Sequence, residues 1–177
     1  SDGTQIGTPP SNSGYVFYYY RYSNHGGYFY LPDRVYNNAH GSICPTGWHI
    51  PSRTEWEELF TTLRIRDEYV CGNDSSIIKA ISNTSGWNSS NVECSPGYNM
   101  TTNNSSGIGL NPDGCATMCP EEKSIIYGIG EWTYYMISHN DMILHNEPVI
   151  FFYDATSPFW SEHLSCHGFL VRCVRND

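Results

Sequence analysis

Apolar residues return at Trp56, Leu59, Phe60 and Leu63, the i, i+3, i+4, i+7 spacing of one helix face, while Arg53, Glu57, Glu58 and Arg64 fall on the other. Ser52, followed three residues later by Glu55, forms a capping box, in which hydroxyl and carboxylate each satisfy a free backbone donor. The pattern predicts a scaffold helix starting after Ser52. A second helix is predicted where Ile77, Ile78 and Ile81 share a side, capped by Asn73 or Asp74 and ending near Asn83. Elsewhere the text turns strand-like. GYVFYYYRYS and GGYFYLP, separated by SNHGG, predict a hairpin between Gly14 and Leu31, and IIYGIGEWTYY, PVIFFYD and GFLVRCVR predict strands toward the C-terminus. Thr84 to Glu122, dense in Asn, Ser, Gly and Pro, reads as loop with short strands. Residues 1–13 are polar and rich in Gly, Pro and Ser, a linker to something upstream, and 14–177 form one domain. The expected class is α+β, two helices packed on a twisted antiparallel sheet with long irregular loops.

Composition narrows the partners. A chain of 177 residues with 39% hydrophobic and 15% aromatic content can bury a core. Its 18 acidic against 9 basic side chains give a net charge of −9, the wrong balance for nucleic acid or an anionic membrane surface. Neither a signal stretch nor a run of apolar residues long enough to span a bilayer is present, which fits a secreted or surface-displayed portion without direct membrane insertion. Seven cysteines, at 44, 71, 94, 115, 119, 166 and 173, favour an oxidising compartment. The odd number leaves at least one thiol unpaired unless it bonds another chain. Cys44 with Cys173 is the first pairing expected, because each borders a scaffold element; Cys71 with Cys94 is the second. Cys115 and Cys119 have the spacing of some zinc ligands, but no second close pair follows and the histidines are scattered, so no metal and no cofactor is expected.

Catalytic patterns are missing. There is no G-x-S-x-G elbow for a hydrolase nucleophile, and GIGE at Gly128 lacks the glycines and the βαβ setting of a phosphate loop. Cys166 and Cys173 are the pair that an oxidase chemistry could use, and Cys173 lies within a scaffold strand. Glu147-Pro148 is followed by Val149, not by an amide, so it lacks the oxygen ligands of a calcium-dependent sugar site. The chain reads as a non-enzyme.

CPTGWHIPSRTEWEEL at Cys44, NTSGWN at Asn83, NNSSGIGLNPDG at Asn103 and GFLVRCVRND at Gly168, in that order, resemble the Fibrobacter succinogenes major paralogous domain over about Tyr28 to Asp177. That resemblance implies the C-type lectin fold, shared with formylglycine-generating-enzyme-like domains. It also implies display on secreted and surface proteins, pilus tips among them. The same superfamily holds the variable proteins of diversity-generating retroelements, whose ligand-binding residues are rewritten at adenines. Here EWTYYMISHNDMILHNE and YDATSPFWSEHLSCH depart from the usual family text. Tyr134 to His167 contains no Lys and no Gln, as randomised AAY codons would give, whereas Met136, Met142, Glu147, Trp160 and Glu162 cannot arise that way and would be fixed scaffold. A plain surface-loop origin stands beside that one.

The expected binding face is the C-terminal loops, with Tyr134, Tyr135, His139, Asn140, His145, Asn146, Tyr153, Asp154, Phe159, Trp160, Ser161 and His163 supplying the rigid rings and adaptable polar groups that paratopes use. Trp132 and Phe152 are read as core. The expected function is a surface-displayed adhesin or receptor domain for a protein or glycan ligand, downstream of a pilus or envelope domain. Its alternative is a structural pilus-tip or envelope assembly module of fixed specificity, working through edge strands near Tyr15 to Tyr20.

Overall fold

A computed structural model of the chain describes residues 29–32, 43–117, 125–138, 148–161 and 166–176. The predicted first helix is α1, Arg53–Arg64. Its capping box is complete: the Glu55 amide donates to Ser52 Oγ at 3.2 Å, and the Ser52 amide donates to Glu55 Oε2 at 2.8 Å. Trp56, Phe60 and Leu63 are buried, as the spacing requires.

The second helix, α2, is only Ile78–Ile81; its N-cap residue Ile77 supplies no capping side chain, and Ser76 Oγ accepts from the Ile78 amide at 3.5 Å. Ile77, Ile78 and Ile81 are buried as expected. Asn73 and Asp74 do not cap α2, because Cys71 and Ser76 exchange backbone hydrogen bonds at 2.8 and 3.2 Å and close residues 72–75 into a turn. Gly72 and Ser75 take positive φ there, and the Cys71–Cys94 disulfide anchors the turn's first residue.

Among the described residues, eight short strands follow the expected α+β class but form three small antiparallel sheets instead of one. These strands are β1 Trp48–His49, β2 Cys115–Thr117, β3 Ile125–Tyr127, β4 Trp132–Tyr135, β5 Val149–Phe152, β6 Phe159–Trp160, β7 His167–Gly168 and β8 Val174–Arg175. The sheets run β1-β8, β3-β2-β7 and β4-β5-β6. Single parallel bridges, Gly114 with Thr133 and Tyr135 with Leu170, connect their edges. The hairpin expected between Gly14 and Leu31 falls almost wholly outside the described residues; Tyr30 is bridged to Phe169.

The sheet β4-β5-β6 is the centre of the molecule. Its register sets Trp132 opposite Phe152, Tyr134 opposite Ile150 and Ile150 opposite Phe159, so these side chains share one face. Thr133, Tyr135, Val149, Phe151 and Trp160 share the other. The second face packs on Trp56, Phe60 and Leu63 of α1 and on the isoleucines around α2. The first packs on Tyr30, Ile50, Cys115 and Phe169, beside the Cys44–Cys173 disulfide. With both faces covered, the central strands need apolar side chains at nearly every position.

Cys44–Cys173 and Cys71–Cys94 are both disulfides, and Cys166 is also disulfide-bonded. Cys115 is free and fully buried; burial pushes its thiol up to about 11, so it stays protonated and unreactive. The disulfides fit an extracellular, oxidising setting. Among the described residues no helix is long and apolar enough to cross a membrane.

His49 Nε2 lies 2.6 Å from Glu55 Oε1, and His49 Nδ1 lies 2.7 Å from Asn176 Oδ1, tying the cap of α1 to the C-terminal strand. Burial raises the Glu55 carboxyl, but the Ser52 donors and His49 outweigh it and hold the carboxyl below its ordinary value of 4.5. A carboxyl depressed in the folded state contributes stability above its ordinary value, and that contribution is lost as pH falls from 4.5 through the lower folded value. Glu55→Gln is therefore expected to flatten the decline of Tm on acidification below pH ~4.5. Thermal melts of both proteins across that range check it; parallel curves would show that Glu55 does not set the acid limb.

Candidate ligand-binding face

The alternation along β4 decides the first two expected site residues, and it decides against them. Tyr134 and Tyr135 are 7% and 6% exposed. Tyr134 stacks on Phe169 with ring centroids 5.9 Å apart and planes 9° from parallel. Tyr135, on the opposite face, meets Trp56 at 6.0 Å and Phe151 at 6.3 Å. Burial drives both hydroxyls up to about 12, with Cys115 adding to the rise at Tyr134. Both tyrosines belong to the core, because a strand covered on two sides buries residues of either parity.

The other expected residues divide three ways. His139, Asn140, His145, Asn146 and His163 lie outside the described residues, as do Tyr15 to Tyr20. Tyr153 is half-buried and Asp154 exposed in the turn after β5, and Ser161 is exposed just beyond β6. Phe159 and Trp160 are neighbours in β6 and so point to opposite faces. Trp160 is half-buried against the α1 side, with the Arg53 guanidinium 4.7 Å above its ring and Arg53 Nε donating to Glu57 at 2.9 Å. Phe159, 47% exposed, stands on the other face.

Phe159 opens a row of rings. Its centroid lies 5.2 Å from Phe152, Phe152 lies 6.0 Å from Trp132, Trp132 lies 6.2 Å from Tyr127, and Tyr127 lies 6.2 Å from His167. Interplanar angles of 90°, 68°, 76° and 68° make every contact edge-to-face, the geometry that ring quadrupoles prefer. Phe152, Trp132, Tyr127 and His167 are each half-buried. Trp132 and Phe152 thus stand at the margin of the core and not inside it. The row crosses β6, β5 and β4 and continues onto β3 and β7, so only the pairing of strands assembles it. Reading Trp132 and Phe152 as cross-strand partners of the Phe159 face was the one signal in the sequence that could have found it.

Two glycines allow the row its closeness. Gly128, at φ +73°, lies flat against Trp132: a Cβ there would sit 1.9 Å from Trp132 Cε2. Gly114, at φ +78°, lets β2 approach β3 so tightly that a Cβ would sit 2.2 Å from the Tyr127 carbonyl oxygen.

The arrangement offers a rigid, amphipathic surface of ring edges and faces. Cys173, bonded to Cys44, and Cys166, also disulfide-bonded, present no thiolate for oxidase chemistry. Among the described residues no group of three or more His, Cys, Asp or Glu side chains is placed to hold a metal ion.

The chain matches the Fibrobacter succinogenes major domain over residues 2–175 and belongs to that family. The match reaches into the polar segment 1–13. No curated protein and no solved structure matches the chain.

Proposed function

We propose, proceeding from that family membership, that this chain is a secreted or surface-displayed domain of the C-type lectin fold superfamily that binds a protein or glycan ligand without catalysis. The row Phe159, Phe152, Trp132, Tyr127 and His167 is the observation that carries it. Half-exposed rings held by edge-to-face contacts lose little entropy on binding and present area of the kind concentrated in interface anchors. The C-terminal loops, the turn after β5 among them, supply the specificity. They are also the segments open to adenine-directed diversification. Two residues that such diversification cannot produce fit a fixed scaffold: Met136 is 1% exposed and Trp160 is clasped beneath Arg53.

Phe159→Ser tests the face. The labelled domain, applied to a glycan array and to intact cells, is expected to bind at least about 10-fold more weakly after the change, as for loss of an aromatic anchor. Because Phe159 is nearly half exposed, Tm should move by no more than about 3 °C. Unchanged binding to every surface that the parent recognises would remove the aromatic row from the site.

A further inference from the structure

Lys79 is a buried cation that no anion neutralises among the described residues. It is 7% exposed in α2, and no carboxylate described pairs with it. Its ammonium instead donates to three oxygens: the Tyr98 carbonyl, the Asn99 carbonyl at 3.3 Å and Asn103 Oδ1 at 2.7 Å. The Tyr98 ring lies 6.0 Å from the same nitrogen.

The oxygens are held in place by their own surroundings. Asn103 Nδ2 donates to the carbonyls of Asn83 and Pro96, both at 2.9 Å, which uses its two protons and leaves Oδ1 facing Lys79. Asn99 adopts φ +44°, a left-handed conformation that non-glycine residues seldom take. The Asn104 amide donates to the Lys79 carbonyl at 2.8 Å, so the same lysine grips the loop from its backbone as well. Two main-chain carbonyls and a fixed side-chain amide oxygen form the type of donor set that takes a hard metal cation in other proteins.

We infer that Lys79 is a tethered structural cation: its ammonium fills this oxygen cage from within the chain and folds the loop 95–104 without any dissolved metal ion. The consequence reaches the proposed ligand face, on whose reading this part of the inference rests. The Gly97 amide donates to the Tyr153 carbonyl at 2.7 Å, and the Tyr153 amide donates to the Glu131 carbonyl at 2.8 Å, beside Trp132. The loop ordered by Lys79 therefore braces the turn after β5 and, through it, the middle of the aromatic row at Phe152 and Trp132. Burial lowers the lysine pKa from its ordinary value.

Chemical rescue in the whole chain tests the cage without any ligand, so its outcome is independent of the binding experiment. Parent Tm should be the same in EDTA and in millimolar calcium. Lys79→Ala should lower Tm by about 10 °C, since three oxygens lose a charged donor. Ethylammonium should restore a substantial part of that loss, whereas tetramethylammonium, which has equal charge but no N–H, should not. Should Lys79→Ala fail to fold, Lys79→Met keeps the stem and drops the charge, and it should still melt well below the parent. Parent stability that falls in EDTA, equal rescue by the two ammonium ions, or a methionine variant as stable as the parent would each overturn the inference.

Discussion

The double variant Cys44→Ala/Cys173→Ala is expected to lose about 5 kcal/mol of unfolding free energy. The bond joins residues 129 apart in sequence, and the entropy of closing a loop that long in the unfolded chain sets the magnitude. Cys71–Cys94, with a separation of 23, should be worth about 3 kcal/mol on the same scale. For a domain whose total stability is of order 5–15 kcal/mol, the first loss brings the chain close to unfolding at ambient temperature. At that junction β1 and β8 pair through only two residues each, supported by the His49 to Asn176 contact and by the Asn176 amide donating to the Gly47 carbonyl at 2.8 Å. Guanidinium titrations of parent and variant measure the difference. Because the bond acts through the unfolded ensemble, the m-value should rise along with the fall in midpoint. A loss under about 1 kcal/mol would mean that the unfolded chain stays compact at this junction without the bond.

What could be read from the sequence was what neighbouring residues decide. The capping box Ser52/Glu55 and the Trp56, Leu59, Phe60, Leu63 stripe are local, and α1 forms where they place it. The second helix has the same kind of local text, yet the turn around Asn73 and Asp74 is set by Cys94, which lies far along the chain. Asn73 and Asp74 are drawn into that turn, and the side chain that reaches the first amide of α2 is Ser76, whose Oγ accepts from Ile78 at 3.5 Å. The binding face was harder for a related reason. Tyr134 and Tyr135 have the composition of a paratope, but burial depends on how many layers cover a strand, and β4 is covered by two. Phe159 and Trp160 looked like one patch in a loop; as a strand they face apart, one toward the aromatic row and the other under Arg53. Trp132, Phe152, Tyr127 and His167 come together through antiparallel registers and sheet junctions, which no single segment encodes.

Gly128→Ala is expected to cost roughly 4 kcal/mol and to break the aromatic row. Part of this is conformational: at φ +73° an L side chain pays ~1–2 kcal/mol for the left-handed backbone. The remainder is steric. The new methyl would fall 1.9 Å from Trp132 Cε2 and 2.1 Å from Nε1, distances that no rotation of the methyl relieves. Overpacking of this kind adds ~1–3 kcal/mol. The indole has no easy retreat, because it is held edge-to-face by Tyr127 on one side and Phe152 on the other. Displacing it should therefore weaken ligand binding as well as stability, with the near-ultraviolet circular dichroism of the aromatic residues changing in parallel. Gly107→Ala separates the two contributions: its φ is +77°, nearly the same, but nothing lies within 4 Å of the added Cβ. That variant should lose only the ~1–2 kcal/mol of backbone strain and keep full binding. Chemical denaturation of the pair isolates the contact with Trp132 by difference. Equal losses in the two would mean that the indole swings aside freely, and a row with a mobile ring at its centre could not serve as a pre-formed binding surface.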